Sequence, residues 1–176
     1  MTIWYKNKNE QKNTERWMLM KVFISHKKED EERALTVKSV LDKKGVSSYL
    51  DLLDSSVVAD GKALTDHIKS NLNSCTDVIV VMTDSTQKSW WVPFEIGMSA
   101  QKDMPTASFL APNVELPDYL NYWPRLKNTE DIETYVDVRK SFENKLLENR
   151  RLFGNVYSQT KIDTNAFYQE LKRKLR

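Results

Sequence analysis

Four short apolar runs, rich in β-branched and aromatic residues, alternate along the chain with segments whose apolar residues recur at helical spacing. The runs are KVFIS from Lys21, VSSYLD from Val46, TDVIVVMT from Thr76 and MPTASFLA from Met104. Consecutive parallel strands need a crossover connection, which a helix supplies, and such crossovers are right-handed. The alternation therefore predicts an α/β fold with a doubly wound parallel sheet and helices on both faces. Because the third run is apolar without alternation, we expect it to be the central strand.

The segment after the fourth run is less regular. Residues 112–128 contain three prolines, which indicate a long loop or a short edge element. We expect a fifth strand between Pro117 and Asp131. The aromatic residues of this segment are expected to pack against the core: Tyr119, Tyr122 and Trp123.

Domain boundaries follow from these elements. Residues 1–19 are expected to form an N-terminal extension, and residues 20–154 an α/β domain that ends in a helix from Thr129 to Gly154. Residues 155–176 should form a C-terminal helical extension, with a helix that begins near Asp163. These extra C-terminal helices either cover one face of the sheet or form a dimer contact.

Composition favours an ordinary globular protein. The chain has 176 residues, and its 27 Lys and Arg nearly balance 25 Asp and Glu, so it lacks the basic signature of a nucleic-acid-binding domain. The single cysteine, Cys75, excludes an internal disulfide and multi-cysteine zinc sites, and we expect it to pack rather than react. Neither a membrane-spanning run nor the apolar core of a signal peptide is visible. We therefore expect a cytoplasmic protein with no membrane or nucleic-acid partner.

An acidic cluster, Glu29 to Glu32, lies between the first apolar run and the first helical pattern. Acidic residues complement the positive end of a helix, so we interpret this cluster as a helix start. Gly45 should end that helix. At the end of the chain, LKRKLR is interpreted as a solvated helix end rather than a basic patch for a membrane or nucleic acid.

Three motifs occur in order along the α/β pattern: KVFISHKKED, YLDLLDSS followed by DG, and SWWVPFEIG. Together they resemble the Toll/interleukin-1 receptor (TIR) domain family over about Met20 to Leu110. The resemblance implies a flavodoxin-like fold with five parallel strands. Family members are either scaffolds that bind other TIR domains or enzymes that cleave NAD at the nicotinamide glycosidic bond. Many bacterial members of the second kind act in antiviral defence and immune signalling.

The third motif determines which kind the resemblance favours. In the NAD-cleaving members, the glutamate of W-x-x-x-E is catalytic, and Trp91 to Glu95 match that pattern. The resemblance thus implies that Glu95 is the catalytic residue and that NAD is the substrate. The products would be nicotinamide and a linear, cyclic or conjugated ADP-ribose. The alternative interpretation of Glu95 is a solvated residue in the first turn of a helix.

The chemistry of this reaction suits an ionised carboxylate. Cleavage passes through an oxocarbenium-like transition state, and nicotinamide leaves as a neutral molecule that needs no proton. A carboxylate beside the ribose stabilises the developing positive charge. We expect Glu95 to be ionised and Pro93 to lie in the first helical turn, where proline is tolerated. Of the two tryptophans, Trp91 is expected to stack on the substrate and Trp90 to belong to the core.

The remaining candidate residues lie in loops after the first two strands. Carboxyl ends of parallel strands form the binding edge of such a sheet. The resemblance implies that Ser25, His26, Lys27, Lys28 and Asp51 border the NAD site together with Trp91 of the third motif. The lysines would approach the pyrophosphate as point charges, or else be exposed loop residues. The loop LLDSSVVADG is where the family makes TIR–TIR contacts, and there Asp51 and Asp54 either orient the loop or cap turns.

Neither histidine suggests a metal site. His26 has no second candidate ligand near it in sequence, and His67 is expected on a helix surface. We therefore expect no metal.

Three functions stay open from the sequence. The first is an NAD-consuming hydrolase or cyclase, switched on by self-association or by a partner that senses infection, with a downstream effector that reads its product. The second is a non-catalytic TIR interaction module, either an adaptor or an effector that mimics host TIR domains. The third is a nucleoside deoxyribosyltransferase-like enzyme, which also places a carboxylate at a ribose C1′.

Overall fold

Five parallel strands form one sheet in the structure, a computed structural model that describes residues 20–50, 61–86, 91–116, 118–154 and 161–175. The strands are β1 (Lys21–Ser25), β2 (Ser47–Leu50), β3 (Asp77–Met82), β4 (Thr106–Leu110) and β5 (Arg125–Leu126). Their order is β2-β1-β3-β4-β5, and every adjacent pair is parallel. The prediction of a flavodoxin-like, doubly wound sheet with β3 at its centre is confirmed.

Helices connect these strands. They are α1 (Glu31–Lys43), α2 (Gly61–Asn73), α3 (Trp91–Gln101), α4 (Thr129–Phe153) and α5 (Thr164–Lys174), with short 3₁₀ helices at Lys28–Asp30 and Asp118–Tyr122. Helix α1 ends before Gly45, whose φ of +68° requires the left-handed region that glycine tolerates. Helix α4 begins after Asn128, whose side chain accepts a hydrogen bond from the Asp131 amide at 2.8 Å.

Two hydrophobic clusters cover the two faces of the sheet. On β1, Val22 and Ile24 belong to one cluster and Phe23 to the other, because successive strand residues point to opposite faces. Helices α1, α4 and α5 pack on the face of Val22, while α2 and α3 pack on the face of Phe23. The sheet is thus buried on both sides, as its apolar central strand predicted.

The fifth strand lies inside the window predicted for it. It contains only Arg125 and Leu126, which pair with Ser108 and Phe109 of β4. Trp123 is half-buried and packs against both clusters, as expected. Tyr122 departs from the expectation: it is 53% exposed and reaches the core only through edge contacts with Trp123 and Tyr168. The side chain of Tyr119 lies outside the described part of the chain.

Helix α5 covers one face of the sheet. Phe167, Tyr168 and Leu171 are buried in the same cluster as β1 and α1, and the Phe167 ring makes an edge contact with Tyr135. The helix assigned by sequence to a C-terminal extension therefore shares its core with the α/β domain. Among the described helices, none is long and apolar enough to cross a membrane.

Candidate functional site

The centre of the candidate site is a hydrogen bond between Ser25 and Glu95. Ser25 is the last residue of β1, and its Oγ donates to Glu95 Oε2 on α3. Ser25 is fully buried and Glu95 is only 2% exposed. Two residues that are 70 positions apart in sequence thus meet at the carboxyl edge of the sheet, where ligands bind in this architecture.

Local periodicity explains how both side chains become buried. Ser25 lies on the same face of β1 as Phe23, and α3 covers that face through Val92 and Ile96. Glu95 precedes Ile96 and lies three residues after Val92, so all three fall on the buried side of one helix. The alternative interpretation of Glu95 as a solvated residue is wrong.

The position of Glu95 within its helix also corrects an expectation. The first turn of α3 contains no acidic residue, and Glu95 is the fifth residue of the helix. Pro93 does lie in the first turn, where its missing amide hydrogen costs no helical hydrogen bond, and it is exposed. Burial within the second turn, rather than the positive end of the helix, therefore sets the environment of this carboxylate.

A buried carboxylate must be compensated, because removing a charge from water costs several kcal/mol unless hydrogen bonds replace hydration. Ser25 supplies such a donor to Oε2. The arrangement holds the carboxyl group of Glu95 in an apolar setting, where a charge on it would have a large electrostatic effect on a nearby charge.

The loop after β1 lies at the same edge. His26 is half-buried, Lys27 is half-buried and forms an ion pair with Glu29 at 3.4 Å, and Lys28 is exposed at the start of a 3₁₀ helix. A backbone hydrogen bond chiefly lowers the pKa of Glu29, and Lys27 lowers it further. Part of the positive charge of this loop is thus offset by Glu29, and the role of Lys27 and Lys28 in binding stays a prediction.

A second polar cluster ties this loop to the segment after β3. Thr83 Oγ1 donates to both carboxylate oxygens of Asp30, at 2.9 and 2.8 Å, and Thr86 Oγ1 donates to Oδ2 at 2.7 Å. The amides of Ser85 and Thr86 donate to Thr83 Oγ1. Asp30 thereby fixes the beginning of the connection that leads to α3 and Glu95.

This role of Asp30 was not predicted from the sequence. The interpretation of Glu29 to Glu32 as a helix start is correct for Glu31 and Glu32, which lie in the first turn of α1. Asp30 is instead buried, and its side chain does not cap α1. The signal available in the sequence was TDST at the end of the third strand, whose hydroxyl residues need acceptors when buried.

Arg33 is another residue that the sequence analysis passed over. Its Nη2 donates to the Leu110 carbonyl at 3.2 Å, and its guanidinium lies 5.5 Å from the Phe109 ring centroid. It therefore ties α1 to the carboxyl end of β4. Helical spacing does not distinguish Arg33 from other charged residues of α1, because the carbonyl to which it donates lies 77 positions away in sequence.

Several expected site residues lie outside the described residues: Asp51, Asp54, Trp90 and the side chain of Trp91. Two minor expectations are confirmed. His67 is exposed and shares hydrogen bonds with Tyr49 and Asn71, and Cys75 is buried, which raises the pKa of its thiol. In the part of the chain that the structure describes, no group of three metal-ligating side chains comes together.

Comparison with known families identifies the chain. A model of the TIR domain family matches residues 22–150, well over half of the sequence. The chain belongs to the TIR domain family. The match extends from β1 into α4 and therefore includes both Ser25 and Glu95.

Several solved structures are similar to this TIR domain. The TIR domain of the Toll-related receptor TRR-2 from Hydra magnipapillata has a TM-score of 0.51 and 21% identity, covering 74% of this chain and 97% of that one. A 2-deoxyribosyltransferase from Bacillus psychrosaccharolyticus has a TM-score of 0.53 and 14% identity, covering 64% and 90%. TIR domains of the activated Roq1 resistosome are more distant, with a TM-score of 0.44, 15% identity and coverage of 89% and 99%. A comparison with curated proteins found no significant match.

Proposed function

We propose that this TIR domain is an NAD-cleaving enzyme that breaks the bond between nicotinamide and ribose, with Glu95 as its catalytic residue. The observation that carries the proposal is the buried carboxylate of Glu95, hydrogen-bonded to Ser25 at the carboxyl edge of the sheet. A scaffold domain does not need a buried carboxylate there, and burying one is costly.

The chemistry assigned to Glu95 is electrostatic. As the C1′–N bond of NAD lengthens, the bonding electrons leave with nicotinamide and positive charge develops on the ribose ring. An ionised Glu95 would stabilise that charge and accept hydrogen bonds from ribose hydroxyls. Attack of water at C1′ then yields ADP-ribose and a proton, and attack by a group within the molecule yields a cyclic product.

Other residues would orient the reactants. The Ser25 hydroxyl holds one carboxylate oxygen of Glu95 and so restricts the rotation of its side chain. His26, Lys27 and Lys28 follow Ser25 and are proposed to face the pyrophosphate, with Trp91 and Asp51 completing the NAD site. The site needs no metal in this scheme, because the leaving group departs as a neutral molecule.

The burial of Glu95 suggests how the enzymatic activity would be controlled. Since only 2% of Glu95 is exposed, a substrate must displace a neighbouring group before it contacts the carboxylate. Self-association through TIR–TIR contacts is proposed to drive that rearrangement. A cytoplasmic role in bacterial antiphage defence, in which NAD is depleted or an ADP-ribose signal reaches an effector, is the setting proposed for such a switch.

Two other functions are distinguishable from this one. A non-catalytic interaction module would self-associate or bind another TIR domain without consuming NAD. A deoxyribosyltransferase-like enzyme would exchange bases on 2′-deoxynucleosides, and the likeness to such an enzyme is a likeness of fold.

The test is chromatography of NAD incubated with concentrated protein, with and without a crowding agent. Glu95→Gln keeps the side-chain volume and removes the charge, and Glu133→Gln changes an exposed glutamate of α4 as the matched control. A parallel reaction contains 2′-deoxyuridine and adenine. Nicotinamide release that disappears in Glu95→Gln and persists in Glu133→Gln supports the proposal.

Two results would contradict it. Nicotinamide release that persists in folded Glu95→Gln would remove Glu95 from the catalytic role. Base exchange without NAD cleavage would favour the deoxyribosyltransferase function, and self-association without either reaction would favour the interaction module.

A further inference from the structure

A cavity of ≈ 420 Å³ lies at the amino ends of β3 and β4, away from Glu95. Thr76 precedes β3, Met104 and Pro105 precede β4, and all three line the cavity. Six residues of β3 separate this end of the sheet from the carboxyl end, a span of about 20 Å. Ligands of the reaction site in this architecture bind at the carboxyl ends, so this cavity is a separate feature.

Two lysines lie together at the cavity. Lys102 and Lys161 line it, and Lys161 Nζ donates to the Lys102 carbonyl at 3.1 Å, which brings the two residues together. Within the described ranges, neither lysine has a carboxylate within ion-pair distance. Burial lowers the pKa of Lys102, and the charges of Lys161 and Lys69 lower it further. Two like charges held together repel each other, and an anion that binds between them relieves that repulsion.

A third cation belongs to the cavity wall. The Arg139 side chain is 7% exposed and donates Nε to Asp77, while its buried Nη1 makes no hydrogen bond and lies 3.9 Å from Glu143 Oε2. A buried guanidinium nitrogen without an acceptor is an incompletely satisfied donor. Two acidic residues, Glu143 and Asp103, also line the cavity; burial chiefly raises the pKa of Glu143, and Asp103 is exposed.

The rest of the lining is apolar, through Met104, Leu146 and Ile162. Cavities of about 300–1,000 Å³ with apolar walls and a few convergent polar groups are typical of small-molecule sites. We propose that this cavity binds a small organic phosphate of about the size of a nucleoside monophosphate. Its phosphate would lie against Lys102 and Lys161, with Arg139 beneath, and its organic part against the apolar wall.

The proposal does not depend on NAD cleavage at Glu95. The experiment follows the amide NMR signals of the full chain while AMP, adenosine or inorganic phosphate is added, and calorimetry supplies the dissociation constants. We expect AMP to bind saturably, with a dissociation constant below about 1 mM. The amides of Met104 and Ile162 should shift, while adenosine and inorganic phosphate should each bind at least tenfold more weakly, since each supplies one half of the recognition.

The variants separate this cavity from the Glu95 site, to which AMP could bind as a fragment of NAD. In Lys102→Ala/Lys161→Ala, AMP should bind at least tenfold more weakly, because both point charges are gone. Lys43→Ala, which removes an exposed lysine of α1, should bind AMP as the parent protein does. Thermal unfolding of each variant verifies that it is folded.

Three outcomes would overturn the proposal. The first is no AMP binding at millimolar concentration. The second is AMP binding that shifts Ser25 and Ile96 and is unchanged in the double lysine variant. The third is inorganic phosphate binding as tightly as AMP, which would leave the apolar wall without a role.

Discussion

Arg139 of α4 and Asp77, the first residue of β3, form an ion pair inside the protein. Arg139 Nε lies 2.9 Å from Asp77 Oδ1, and the two side chains are 7% and 0% exposed. Tyr135 Oη donates to the same oxygen at 2.9 Å, and Thr76 Oγ1 donates to Oδ2 at 2.5 Å. One buried carboxylate thus joins the longest described helix to the central strand, with donors on both of its oxygens.

Removing one partner of this pair should be strongly destabilising. Arg139→Met keeps much of the side-chain volume but leaves Asp77 charged and buried, so we expect the free energy of unfolding to fall by about 3–5 kcal/mol. Urea denaturation measures the change. Lys38→Met, which breaks an exposed ion pair with Asp42 on α1, should cost less than about 1 kcal/mol.

A double-mutant cycle sharpens this prediction. Asp77→Asn removes the charge that Arg139 neutralises, so Arg139→Met should cost less in that background than in the parent. Equal costs of Arg139→Met in both backgrounds would show that the two residues are not coupled.

Asp30 is predicted to hold the segment after β3 in place. Asp30→Ala removes the acceptor of Thr83 and Thr86, so the free energy of unfolding should fall by about 1–3 kcal/mol. Hydrogen exchange should report the local effect, because the Ser85 and Thr86 amides donate to Thr83 Oγ1. Exchange of these amides should accelerate more than exchange in β1. Asp30→Asn, which keeps one carbonyl oxygen, should have an intermediate effect; uniform acceleration across the sheet would contradict a local role.

Ser25→Ala is expected to impair the proposed reaction while the protein stays folded. The hydrogen bond to Glu95 is worth about 1.5–3 kcal/mol as a bond to a charged group, so kcat should fall by about 10- to 100-fold. Ser25→Thr retains the hydroxyl and should recover part of kcat. Nicotinamide release at saturating NAD is the measurement. An unchanged kcat in Ser25→Ala would show that this hydroxyl does not position Glu95.

Tyr168 should make the protein less stable at high pH. Burial chiefly raises the pKa of Tyr168 to about 12, because the phenolate is disfavoured in the core. In the unfolded chain the pKa is about 10, so from pH 10 to 12 the unfolded state loses the proton while the folded state keeps it. The contribution of Tyr168 is complete below pH 10 and falls by roughly 2–3 kcal/mol as the pH rises to 12.

Tyr168→Phe tests that assignment. The variant should be less stable at neutral pH, because the Thr106 amide loses its acceptor at 2.9 Å. Its stability should then decline less steeply than that of the parent between pH 10 and 12, as measured by urea denaturation at each pH. Parallel curves would show that Tyr168 does not titrate differently in the two states.

The strands and helices were predictable because their signals are local. The apolar run of β3 and the helical spacing of Leu64, Ile68 and Leu72 on α2 are properties of a few neighbouring residues, which backbone geometry converts directly into elements. The fifth strand was located only within a window, because two residues such as Arg125 and Leu126 carry no periodicity.

The candidate site was predictable in part. Glu95 and Ser25 were both selected, the first by its motif and the second by its place after a strand. Their hydrogen bond was not predicted, and neither was the position of Glu95 in the second turn of α3. Asp30 was missed because its acceptor role depends on Thr83 and Thr86, more than 50 positions away.

The sequence by itself determined the α/β class, the parallel pairing and the TIR motif, because each follows from patterns within single elements or from their order. Only the tertiary structure decided which polar groups meet: Ser25 with Glu95 across 70 positions, and Asp77 with Arg139 across 62. Strand register and helix packing determine these contacts, and both depend on how side chains that are distant in sequence pack together. The same packing placed two lysines and Arg139 around one cavity at the amino end of the sheet, where no motif pointed.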